Sequence, residues 1–278
     1  MRKILKNFAF FYLLFLMLIS LFSGILAGNG VFDGKKLALY PYSAYDIDKT
    51  AFLSPPSKKH ILGTDGLGRD ILARLIKGTY NSFLVSFIAT AVSLFIGCFL
   101  GGISGYLGGW PDFIFSRIFE LFYSVPMLFV LILLSPIIGN NIVLFALVLG
   151  FIGWLFTARL VRGEVIKLKE NQFVEYAKAN GASFFHLFKN HFFPHIFPVM
   201  LPIAIFGFSG MLIAESSLSF LGMGIKAPEP SWGKMILDGF SYLGIAPWTY
   251  IPPSLLLFFT VLSLDIIGEY YKKKFSRF

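Results

Sequence analysis

The sequence predicts an all-α, polytopic membrane protein with about six transmembrane helices. Composition is the first reason: 56% of the 278 residues are hydrophobic and 14% are charged, against roughly 45–50% and about 25% in soluble domains. Run length is the second. A hydrocarbon core of about 30 Å takes about 20 residues of helix, and apolar windows of that length fall at 8–27, 81–106, 113–135, 142–160, 196–214 and 251–268. The third is that most Lys and Arg lie between or beyond those windows, as basic residues do at cytoplasmic membrane faces. The formal net charge of +9 therefore points to anionic membrane lipid as a partner and not to nucleic acid.

Residues 1–7 are read as a cytoplasmic N-terminus. Window 8–27 follows the basic MRKILKN, but its apolar stretch exceeds the roughly 7–15 residues of a signal-peptide core, so it is read as a retained anchor. Residues 28–80 form an extracytoplasmic segment. Its end, GRDILARLIKGTY, sets Ile71, Leu72, Leu75, Ile76 and Thr79 on one helical face with Arg69, Arg74 and Lys77 on others, which predicts a helix lying in the membrane interface. A transmembrane core fills 81–268, with a cytoplasmic loop at 161–195, and 269–278 is a basic cytoplasmic tail. With both termini inside, the inner face collects Arg2, Lys3, Lys6, Arg117, Arg159, Arg162, Lys167, Lys169, Lys178, Lys189 and the KKKFSR tail. The bias is moderate, because the outer segment carries basic residues too, among them Lys58, Lys59 and Arg69. Pro126, Pro198 and Pro202 inside windows predict kinks. Pro252 and Pro253 open the sixth window, where missing N–H donors cost nothing.

Little in the chain suggests catalysis. GTDGLGRD, 63–70, has glycines at P-loop spacing, yet Arg69 and Asp70 stand where a P-loop needs Lys and Ser or Thr. Serine-hydrolase and metalloprotease signatures are missing. His186, His191 and His195 crowd one loop without a carboxylate or cysteine to complete a metal site. Cys98 is the only cysteine, which rules out a disulfide within the chain. No catalytic residue and no metal ligand is assigned. Membrane-embedded acids are functional candidates, since a buried charge costs about 2.5–3.5 kcal/mol even on insertion scales. Glu120 in the third window is a candidate either for lining the transport pathway or for pairing with a neighbouring helix, while Glu215 and Asp265 near window ends are read as structural. In LGMGIKAPEPSWG, Trp232 is read as an anchor at the lipid boundary.

The loop carries the sharpest pattern. NQFVEYAKAN reads as a short amphipathic helix, which Gly181 ends in a left-handed conformation. Ser183 N-caps a second helix, with Phe184, Leu187 and Phe188 as its apolar ridge and Pro194 as its stop. A helix, a glycine and a helix make a shape suited to a groove in a soluble partner. The run Glu175, Tyr176, Ala177, three residues, Gly181, then Pro194 resembles the EAA loop of permease subunits of bacterial ABC importers. Tyr176 replaces the usual middle alanine and His191 an aliphatic residue. LGTDGLGRDILARLIKGTYNS, ARLVRGEVIKLKENQFVEYAKANGAS and ESSLSFLGMGIKAPEPSWGKMI resemble the peptide and nickel importer permeases in particular, whereas the tail lacks their Asp-Pro ending.

That resemblance implies an inner-membrane, multi-pass subunit of type I importer architecture that is not itself an enzyme. It implies a second permease subunit, two ATPase subunits that bind the ATP and Mg, and an extracytoplasmic substrate-binding protein, with no cofactor on this chain. Glu175, Tyr176, Ala177, Gly181, Ala182, Ser183 and Pro194 would form the ATPase-coupling loop. The substrate expected is a di- or oligopeptide, with nickel or a nickel chelate as the alternative. The rival from another class, an ion-coupled secondary transporter using Glu120, lacks the inverted repeat such proteins often show.

Overall fold

The computed structural model describes residues 2–27, 31–32, 35–36 and 39–275. Helix α1, Arg2–Leu21, is followed by a short α2, Ser23–Leu26, and by a minimal antiparallel pair, β1 Val31–Phe32 with β2 Lys35–Lys36. The long helices α3, Ile71–Leu107, α6, Ile142–Lys169, α9, Phe193–Phe220, and α11, Ile251–Phe275, build the bundle. Between them lie α4, Gly109–Ser124, α5, Met127–Ile138, α7, Gln172–Ala179, α8, Phe184–Leu187, and α10, Trp232–Phe240. Among the described residues, five helical runs are long and apolar enough to cross a bilayer.

Helices α3 and α6 form the spine, and they approach closely because α3 repeats glycine every fourth residue. A Cβ at Gly97 would lie 2.8 Å from the Trp154 carbonyl oxygen, and one at Gly105 would lie 2.7 Å from that of Arg162. One at Gly101 would collide with the Ala158 carbonyl. Small residues at this spacing let transmembrane backbones pack without intervening side chains. Gly150 of α6 meets Ala89 of α3 in the same way, so residues 89 to 105 run alongside 150 to 162 in the same direction.

This parallelism decides the number of crossings. Two parallel spans need a return between them, and only α4 and α5 are available. They form a broken span bent by 82°, with Val125 extended and Pro126 at the N-cap of α5. The expected kink at Pro126 is thus a full break, and with α4 and α5 taken as one span the described residues reach the six crossings expected. Pro198 and Pro202 sit inside α9, which runs on through both. Helices α9 and α11 pack antiparallel, with Gly268 against Phe206 and Leu212 near Val261. Helix α1 lies against α11, where Tyr12 reaches Thr260 (3.3 Å), and it starts and ends about six residues before the expected window of 8–27. Lys6 rests over Tyr270 (4.4 Å), which brings the start of α1 and the end of α11 together.

The stretch expected to form a separate interfacial helix is instead the start of α3. Asp70 caps it by accepting from Ala73 N–H (2.8 Å), and Ile71, Ala73, Arg74 and Leu75 are buried. Asp65 receives the backbone N–H of Leu67 and Arg69 (2.9 Å each). Arg69 and Arg74 are neutralised by that carboxylate (2.8 and 3.5 Å) and by Asp238 of α10 (3.7 and 3.4 Å). Removing one partner from such a buried network costs about 3–5 kcal/mol, so the arginines face protein and not lipid. Trp232 is likewise fully buried and not at a lipid boundary. Its Nε1 donates to Thr79 Oγ1 (3.1 Å) and its ring packs on Phe83. Around this end, Tyr40 donates to Asp70 (2.9 Å) and Tyr45 to Glu229 (2.7 Å), which also receives Asn81 Nδ2 (2.9 Å). Burial and these carboxylates together push both phenols above their ordinary pKa.

Candidate functional site

Within the loop expected at 161–195, residues 172–187 fold into the helix pair read from the sequence, while 161–169 continue α6 and 193–195 open α9. Helix α7 ends in a glycine motif: Gly181 has φ +78°, its N–H donates to Lys178 O (2.9 Å), and Ala182 N–H donates to Ala177 O (3.1 Å). This is the paired bonding that closes a helix through a left-handed residue. Ser183 then caps α8, its hydroxyl accepting from His186 N–H (3.4 Å). Ala177, Gly181, Ala182 and Ser183 therefore build one turn between the two helices.

One face of the pair is fixed to the bundle. Val174, Leu187 and Phe192 are fully buried with Cys98, Val161, Val165 and Ile196. Tyr106, at the end of α3, packs its ring on Phe184 (5.0 Å) and Phe192 (6.0 Å), and Lys178 lies over the same ring (5.1 Å). The other face is open: Tyr176 is 71% and Phe185 73% exposed, beside exposed Glu175, Asn180, Gly181 and Lys189. Glu175 also borders a polar cleft of ≈ 650 Å³ with Gly108, Asp112, Lys169, Glu170 and Lys178.

Pro194 does not stop the second helix. Residues 188–192 widen into a π-helical turn, and the chain continues into α9 with Pro194 in its first turn. Within that turn Phe193 N–H bonds back to Phe188 O, five residues earlier. A widened turn shifts the carbonyl that a proline ring would strike, so the helix survives. His195 stacks on Phe173 (5.1 Å) with Nδ1 2.6 Å from His191 O, and His186 contacts Asn190. Among the described residues no three His, Cys, Asp or Glu side chains are grouped to hold a metal.

Glu120 lies on an exposed face of α4, paired with Arg117 of the same helix. An apolar cleft of ≈ 750 Å³ opens beside the α4–α5 bend between Val92, Tyr123, Pro126, Val130, Leu147 and Phe151, and Glu120 is not part of its lining. Glu215 is fully buried; Ser219 (2.7 Å) and Ser216 (3.2 Å) of its own helix donate to it, and Ser219 Oγ in turn accepts from Ile225 N–H (3.0 Å), which fits its structural reading. Asp265 is exposed. Sequence reasoning missed two features. The glycine repeat 97–101–105 was visible as small residues at four-residue spacing, whereas nothing in the sequence couples Arg162 to Asp112, fifty positions apart (2.6 Å twice).

The family described as the binding-protein-dependent transport system inner membrane component matches residues 93–277. The chain belongs to this family. Within it, the chain is 34% identical over 233 residues to an oligopeptide transport system permease protein OppC of Mycobacterium tuberculosis, covering 83% of this chain and 80% of that one. It is 35% identical to OppC of Haemophilus influenzae, covering 83% and 75%. A dipeptide transport system permease protein DppC of Alkalihalophilus pseudofirmus is 35% identical, with 78% and 71% covered. Among solved structures, a chain of the MetNI methionine ABC transporter in inward-facing conformations superposes with a TM-score of 0.58. It is 18% identical and covers 73% of this chain and 97% of that one, which establishes a shared fold. This inner membrane component is accordingly a multi-pass ABC importer permease, and the matched region contains the α3–α6 spine from residue 93 onward and the whole helix pair.

Proposed function

We propose that the chain is a non-catalytic permease subunit that carries di- or oligopeptides across the inner membrane, delivered by an extracytoplasmic binding protein. A second permease subunit completes the pathway. Two separate ATPase subunits bind and hydrolyse ATP with Mg. Both termini and the α7–α8 pair face the cytoplasm, in keeping with the shared end of α1, α11 and the loop and with the lysines gathered there. The observation that carries the reading is the two-faced helix pair. Its inner face is bonded to the ends of α3, α6 and α9 while Tyr176 and Phe185 stand bare. A soluble ATPase gripping the bare face moves the spans through the bonded one, biasing a two-state equilibrium between outward and inward openings. Glu175, Tyr176, Ala177, Gly181, Ala182 and Ser183 form the coupling element, and Pro194 joins it to α9.

Peptide specificity follows the names of the OppC and DppC relatives. Deleting the gene is expected to abolish uptake of labelled peptide, with the intact gene restoring it. Loss of nickel uptake in place of peptide uptake would move the substrate to nickel. Uptake that persists without any ATPase but follows an ion gradient would reject the importer reading.

A further inference from the structure

We infer that the Arg162–Asp112 ion pair is the link through which the α7–α8 pair moves the bent α4–α5 arm; the inference rests on the proposed function, because an ATPase must push on α7. Helix α4 is jointed at both ends. Gly108 and Gly109 join it to α3 with φ +62° and +58°, two successive left-handed residues that side chains would disfavour. At its far end Val125 and Pro126 break it from α5 at 82°. Between the joints, Phe119 is the one buried residue of α4. A helix so placed can swing as a unit, and its direction is set by whatever grips it.

Helix α6 supplies a polar grip, beside the contacts α3 makes. The Arg162 fork donates Nε–H to Asp112 Oδ1 and Nη2–H to Oδ2, both at 2.6 Å. The Asp112 side chain is 17% exposed and that of Arg162 28%. Ser104 of α3 donates to the same carboxylate (2.6 Å) and orients it. Farther along, Phe119 packs on Trp154 (5.5 Å between ring centroids) and Arg159 lies over Tyr123 (4.2 Å). Of the three attachments the ion pair is nearest the loop. Arg162 stands about two turns before α6 ends at Lys169 and the chain enters α7 at Gln172. A bidentate fork resists rotation and sliding, which an apolar contact does not. Displacement of the end of α6 therefore pulls the first turn of α4, swings the helix about Gly108 and Gly109, and resizes the apolar cleft at Pro126. Asp112 also lines the polar cleft bordered by Glu175 and Lys178 of α7, which places the link beside the moving part.

The test uses the full chain assembled with its partner subunits in lipid vesicles, following labelled peptide and ATP together. Arg162→Gln and Asp112→Asn are each expected to lower peptide moved per ATP hydrolysed by about tenfold, while complex yield and ATP turnover stay at the parent level. The double variant is expected to fall no further, since both changes cut one link. Arg162→Lys keeps the charge without the fork and is expected to lie between parent and Gln variant. Unchanged peptide per ATP in the single variants would overturn the inference. So would a parallel loss of assembly and ATP turnover, the mark of a pair that only holds the fold. A parent chain that retains no ATPase strikes the proposed function itself and this inference with it, and is seen before any variant is made.

Discussion

Gly181→Pro is expected to abolish uptake while leaving the protein inserted in the membrane. Two physical conflicts meet at this position. The residue has φ +78°, whereas a proline ring holds φ near −65°, and its N–H donates to Lys178 O (2.9 Å), a donor that proline lacks. The turn that sets α8 against α7 cannot then close, so the exposed face of the pair is lost. The spans themselves are untouched, because space around Gly181 is open and the change meets no neighbour. Gly181→Ala separates the causes: it adds only the left-handed penalty, about 1–2 kcal/mol, and is expected to reduce uptake without eliminating it. Uptake assays with a measurement of membrane-inserted protein read both variants. Parental transport by the proline variant would remove the hinge from the mechanism.

Gly101→Leu is expected to have the largest effect on stability. Its side chain would grow into the Ala158 backbone, which has no rotamer to yield, so α3 and α6 must separate along their length. Neighbouring Gly97 and Gly105 contact α6 backbone equally closely, and their packing is lost with it. Overpacking on this scale costs about 3 kcal/mol, enough to consume much of a marginal stability. Thermal unfolding in detergent is expected to begin well below that of the parent. Gly207→Ala is the control: it also faces α3, but its new Cβ would meet only Thr90 Cγ2 at 3.6 Å, an ordinary contact expected to leave the transition nearly unchanged.

What the sequence revealed and what it hid differ by the range of the interactions involved. The spans, the left-handed Gly181 and the Ser183 cap were legible because each depends on a few adjacent residues. The continuity of α3 was not. Arg69 and Arg74 look like interfacial cations until Asp238, more than 160 positions later, is brought against them. Trp232 looked like a lipid anchor for the same reason, since its partner Thr79 belongs to another helix. Pro194 misled in a different way: a proline ends an α-helix but not one that has already widened into a π turn. At the site, the two-sidedness of the pair was readable from amphipathicity, but the packing of its inner face on Tyr106 and the fork between α6 and α4 exist only in the folded bundle.

Entry of nucleotide-driven motion through the bare face of α7 and α8 can be read by photo-crosslinking from positions 176 and 185 in native membranes. Each probe is expected to capture an ATP-hydrolysing protein on the cytoplasmic side, with a yield that changes when ATP is supplied. Capture restricted to extracytoplasmic proteins, or probes reached only by reagents added from outside the cell, would contradict it.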